Sequence, residues 1–108
     1  MTCVLTPAIL VSPLTFWEVA TLHRLGRFAL DRDPSSWVAN LLRTDRLELA
    51  ELTAEAATWA GQVDDAFPGD SIDRLLYATA RDRRVPLVSK DEPMRAFAAV
   101  SREVEVIW

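Results

Sequence analysis

The chain carries a single cysteine, Cys3, and a single histidine, His23, among its 108 residues. One thiol cannot close an internal disulfide, so the reducing cytoplasm is the expected compartment. A cysteine and histidine metal cluster is excluded as well, because such sites draw on several of these ligands. No apolar run reaches the length of a membrane span, and the N-terminus has neither the basic start nor the cleavage pattern of a signal peptide. No membrane contact is expected. Basic residues are also in short supply: 12 Lys and Arg face 16 Asp and Glu, a net charge of −4. That balance argues against a general nucleic-acid coat, whose surface is usually basic. It leaves room for a nuclease with an acidic site, since bound cations reverse the local sign. Acidic residues are themselves missing from the N-terminal stretch, where none precedes Glu18. There is no internal repeat and no low-complexity segment.

What is present suits a folded protein, with 50% hydrophobic and 26% charged residues, and one domain over residues 1–108 is expected. Ala8 to Val11 reads as a short strand. Ser12-Pro13 supplies a helix cap and a first helical residue, and that helix is expected to end at Gly26. Phe16, Val19, Ala20 and His23 form its stripe. Glu18 lies among them, and burying it alone would be costly, so it either faces solvent or has a cationic partner. Asp33-Pro34 opens a short amphipathic helix carrying Trp37, Val38, Leu41 and Leu42. Leu47 to Leu52 reads as a half-exposed strand, and Thr53 caps a helix from Ala54 to about Val63. A helix from Glu92-Pro93 and a strand from Val104 to Ile107 close the chain. Strands alternating with helices at this spacing predict an α/β fold with a parallel sheet.

The most informative stretch runs from Gly69 to Asp91. Pro68-Gly69 makes a turn, and Asp70 caps a helix whose positions Ile72, Leu75, Leu76 and Thr79 share one face. Asp73 falls in its first turn. Past Arg83-Arg84, Val85 to Ser89 reads as a buried parallel strand, with Asp91 at its carboxyl end, where open α/β sheets bind ligands. Carboxylates gathered at one sheet edge repel unless a proton or cation intervenes. A hard divalent ion such as Mg²⁺ is the usual answer. The plainer reading is that Asp70, Asp73 and Asp91 only cap helices, where negative charge is favourable.

The order of these parts is familiar. Val11 to Ala20, reading Val-Ser-Pro-Leu-Thr-Phe-Trp-Glu-Val-Ala, resembles the Ser-x-x-Ser/Thr-x-Trp-Glu segment of PIN-domain ribonucleases of the VapC toxin type. Leu25-Gly26-Arg27 is similar to the Leu-Gly-Arg that often follows. Leu52-Thr53-Ala54-Glu55-Ala56-Ala57 resembles the family's Leu-Thr-x-Glu-x-Ala, and Gly69 to Leu76 its Gly-Asp-Pro-x-Asp-Arg-Leu-Leu. Val88-Ser89-Lys90-Asp91 is similar to Val-Thr-Lys-Asp. The resemblance implies a PIN-like three-layer domain with a central parallel sheet flanked by helices. It also implies Mg²⁺ or Mn²⁺ bound by Glu18, Asp73 and Asp91, which are the catalytic acids, with Asp70 as a helper. The implied activity is metal-dependent hydrolysis of RNA, by the toxin of a type II toxin–antitoxin system. A cognate antitoxin and a homodimer are the implied protein partners.

The family's first strand, which ends in a metal-binding aspartate, has no counterpart here, so the domain is expected to be N-terminally truncated. Met1 to Leu5 can fill part of the gap as a strand but brings no carboxylate. Three hypotheses follow: an active endoribonuclease, a catalytically impaired binding module that retains dimer and antitoxin surfaces, and a fragment of a longer protein. For RNA contacts, Arg24, Arg27 and Arg32 form one set and Arg74, Arg81, Arg83 and Arg84 another. The last three also suit the negative end of a helix dipole. Trp17 and Trp37 are expected in a core or an interface.

Overall fold

In the computed structural model, which describes residues 9–107, the elements alternate much as their sequence patterns require. They run β1 (Ile9–Val11), α1 (Pro13–Arg24), α2 (Pro34–Leu42), β2 (Leu47–Leu49), α3 (Ala54–Gln62), α4 (Ser71–Arg83), β3 (Leu87–Val88), α5 (Glu92–Ser101) and β4 (Val106–Ile107). The class is α/β, and every paired strand is parallel. The described residues carry two two-stranded ladders, β1 with β2 and β3 with β4. Each ladder is closed by its own helical crossover, which brings the crossover's two strands side by side. The readings of Met1 to Leu5, Ala8 and Trp108 lie outside the described residues.

The chain divides into two compact units, Met1–Glu51 and Leu52–Trp108. In the first, Ile9 pairs with Leu47, Leu10 with Glu48 and Val11 with Leu49. Buried Ser12 caps α1 by accepting the Leu14 amide at 3.1 Å. Gly26 ends the helix at φ 74°, and Arg27 N–H reaches back to the Leu22 carbonyl at 2.9 Å. This is the left-handed stop that glycine adopts without a side-chain clash. Asp33 caps α2, its carboxylate accepting both the amide and the hydroxyl of Ser36. Neither helix has a fully buried residue. Trp17, expected in a core or interface, is 59% exposed, while Trp37 is half-buried.

The second unit is built on α4. Small residues let α3 and α4 pack closely, with Ala56, Ala60 and Ala78 in one cluster. The hairpin they form is tied at one end by Thr53 Oγ1, which donates to Asp82 at 2.9 Å. The other side of α4 delivers Tyr77 and Ala80 to a core with Phe67, Met94, Ala98 and Val104. Because the helix is covered on two sides, Tyr77 to Ala80 are all buried. Ile72, Leu75 and Leu76 of the expected stripe are only partly covered, and Thr79 alone of that stripe is fully buried. Tyr77 is the hub, with Trp59 stacked at 5.8 Å and the rings of Phe67 and Phe97 edge-on at 5.2 and 5.6 Å.

At its end α4 stops on Arg84, in the left-handed region at φ 56°, and Val85 N–H bonds to the Ala80 carbonyl at 3.1 Å. The strand that follows is shorter than Val85 to Ser89 and only half covered. Leu87 packs on the core, whereas Val88 is 63% exposed, because successive strand residues point to opposite faces.

Candidate active site

The acids of the second unit sit at helix N-termini because aspartate is a good cap. Asp70 caps α4, and Asp73 answers it in a reciprocal box. Asp70 Oδ1 accepts the Asp73 amide at 2.9 Å, and Asp73 Oδ2 accepts the Asp70 amide at 3.2 Å. Asp91 caps α5, its Oδ1 accepting the Met94 amide at 2.9 Å, while its own amide donates to Ser89 Oγ at 3.1 Å. The capping half of the plainer reading is therefore correct, and it leaves the chemistry open. Each of these caps engages one carboxylate oxygen of Asp70, Asp73 or Asp91 with a backbone amide.

Burial pushes the pKa of Asp73 above the ordinary aspartate value, the Asp70 amide opposes that shift, and the charges of Asp70 and Asp91 add to it. Desolvation and like charge both disfavour the ionised form. The structure thus brings Asp70, Asp73 and Asp91 within electrostatic reach inside one unit. Glu18 lies on α1 in the first unit and is exposed.

The loop before α4 leaves no slack around Asp73. A Cβ added at Gly69 would fall on the Asp73 Cβ and lie 2.8 Å from the Phe67 ring. Gly69→Ala should therefore destabilise the protein by about 1–3 kcal/mol, the usual cost of overpacking, read as a lower urea midpoint.

Two functional features escaped the sequence. Asp73 is the second half of a capping box as well as a first-turn residue, and the three-residue spacing from Asp70 is the signal that identifies it. Arg74, in one of the two arginine sets open to phosphate contact, donates to the carbonyls of Ala60, Val63 and Asp64. Arg81 is engaged too, with Glu103 at 2.6 Å and the Trp59 ring at 4.8 Å.

A hard, all-oxygen donor set with a part-buried carboxylate fits Mg²⁺ or Mn²⁺ better than a soft or borderline ion. Among the described residues no three His, Cys, Asp or Glu side chains converge as they stand into a metal cage. The fit is therefore one of chemistry, requiring side-chain adjustment around the second oxygens.

The PIN domain family model matches residues 4–100. The chain belongs to the PIN domain family. This PIN domain is 33% identical over 86 residues to Ribonuclease VapC22 of Mycobacterium tuberculosis (strain ATCC 25618 / H37Rv), an alignment covering 80% of the chain and 65% of that protein. No solved structure matches it. The similarity agrees with the VapC-type motifs read from Val11 to Asp91. No helix among the described residues of this PIN domain is long and apolar enough to cross a membrane.

Proposed function

We propose that this PIN domain is a metal-dependent endoribonuclease, the toxin of a type II toxin–antitoxin pair, working in the cytoplasm as a homodimer that a cognate antitoxin restrains. The observation that carries the reading is the half-buried Asp73 carboxylate, held in a reciprocal capping box with Asp70 at the start of α4. Glu18, Asp73 and Asp91 would hold Mg²⁺ or Mn²⁺, with Asp70 assisting. Such an ion, when bound, polarises a phosphoryl oxygen and makes water a better nucleophile by lowering its pKa.

The chain's own residues supply placement. Asp73 and Asp91 are presented from helix starts rather than flexible loops, and each has one oxygen tethered to a backbone amide. That tether restricts rotation and aims the other oxygen, the kind of orientation that makes bound reactants productive. Similarity to a ribonuclease supports RNA as the substrate.

The test is cleavage of a structured RNA by the purified protein with Mn²⁺ and after EDTA. Cleavage that disappears on metal removal is the expected result. A second reading, a PIN domain that keeps its partner surfaces without cutting, draws on the absence of a converged three-acid cluster among the described residues. A folded protein that cleaves nothing with Mn²⁺ would favour it or a fragment of a longer protein over the active nuclease.

A further inference from the structure

Arg74 directly follows Asp73, and its guanidinium faces backbone. Nη1 donates to the carbonyls of Ala60 at 3.1 Å and Val63 at 2.7 Å, and Nη2 to that of Asp64 at 3.2 Å. The group also lies 5.8 Å from the Phe67 ring centroid and 3.8 Å from the Asp65 carboxylate. All these partners belong to the end of α3 or to the loop leading into Asp70. The carbonyls of Ala60 and Val63 are ones that a helix terminus leaves without intrahelical donors, and that of Asp64, just beyond, also accepts the Phe67 amide at 3.1 Å. A rigid, planar fork that is always charged suits several of them at once, which a lysine ammonium on a flexible stem does less well.

From that loop three contacts reach Asp73. Gly69 abuts its Cβ, the Asp70 amide donates to Oδ2, and Asp70 Oδ1 accepts the Asp73 amide. The segment from Val63 to Asp70 is a collar, clamped at one end by Arg74 and closed at the other on Asp73.

We propose that Arg74 is a positioning residue for Asp73: by clamping the carbonyl end of α3 it holds the collar against the Asp73 carboxylate and so fixes which oxygen is left for a cation. The inference rests on the reading of Asp73 as a cation ligand. It assigns Arg74 a role in the site without contact to substrate.

The experiment measures Mn²⁺ binding to the whole chain without RNA, by loss of the free-ion electron paramagnetic resonance signal, together with thermal melting. Wild type, Arg74→Met, Arg74→Lys and Asp73→Asn are compared at a temperature where each is folded. Arg74→Met should raise the Mn²⁺ Kd about tenfold, as for groups that orient metal ligands. Arg74→Lys should fall between it and wild type, and it decides the outcome if the methionine variant does not fold. Earlier melting with an unchanged Kd in the Arg74 variants would show a purely structural arginine and overturn the inference, while Asp73→Asn still lost Mn²⁺. Equal Mn²⁺ binding by wild type and Asp73→Asn, or none by either, would instead remove Asp73 as the ligand, and the inference with it.

Discussion

Asp73→Asn is expected to abolish Mn²⁺-dependent RNA cleavage, lowering turnover about 10²-fold or more, the scale on which losing one preorganised electrostatic group reduces kcat. The same substitution should leave the metal-free fold intact. The amide keeps an oxygen that can accept the Asp70 N–H now bound by Oδ2 at 3.2 Å, so the capping box survives, and the repulsion from Asp70 and Asp91 disappears. The pH dependence follows from the raised pKa of Asp73, caused first by burial. Between the unfolded and folded pKa values the folded protein holds a proton that the unfolded chain has released. Stability of the metal-free wild type therefore falls as pH rises through that window and returns on acidification. Above the window Asp73→Asn should match or exceed wild type, by within about 0.5 kcal/mol, as is usual for a part-exposed site. Urea titrations across the acidic range read this directly. An Asn variant that unfolds, or one that cleaves like wild type, would contradict the assignment.

Tyr77→Ala should have the largest effect on stability, a loss of about 3–5 kcal/mol, the range for deleting a buried aromatic ring. Tyr77 is 0% exposed and touches Trp59, Phe67 and Phe97, so its removal opens a cavity bordered by all three. In a chain of this size the loss corresponds to a fall in Tm of more than about 10 °C. Tyr77→Phe isolates the hydroxyl, which shares a 3.0 Å hydrogen bond with Ser101 Oγ, and should cost only about 1 kcal/mol. Near-equal losses for the two variants would show that the hydroxyl, rather than the ring, dominates.

Local rules made much of this legible. Ser12-Pro13, Asp33-Pro34, Thr53 and Asp70 marked helix starts because a side-chain acceptor followed by a good first-turn residue satisfies free amides wherever it occurs. Gly26 marked a stop for an equally local reason. The strands were harder. Val85 to Ser89 is apolar enough to suit a buried strand, yet β3 spans only Leu87–Val88, and Val88 is 63% exposed. An apolar run carries no mark of which of its faces will be covered.

Local sequence accounts for the α/β class, the order of elements, the family motifs from Val11 to Asp91 and the placement of Asp70, Asp73 and Asp91 at helix starts. These depend on spacing and on backbone groups a few residues away. Tertiary structure alone decided that Tyr77 is the hub of the core, that Asp73 is raised by burial and by Asp70 and Asp91, and that Arg74 serves α3 rather than standing free for phosphate. Each of those depends on groups more than ten residues away, such as Val63 for Arg74 and Asp91 for Asp73. Desolvation and hydrogen bonding act through space, and only folding brings such distant groups within their range.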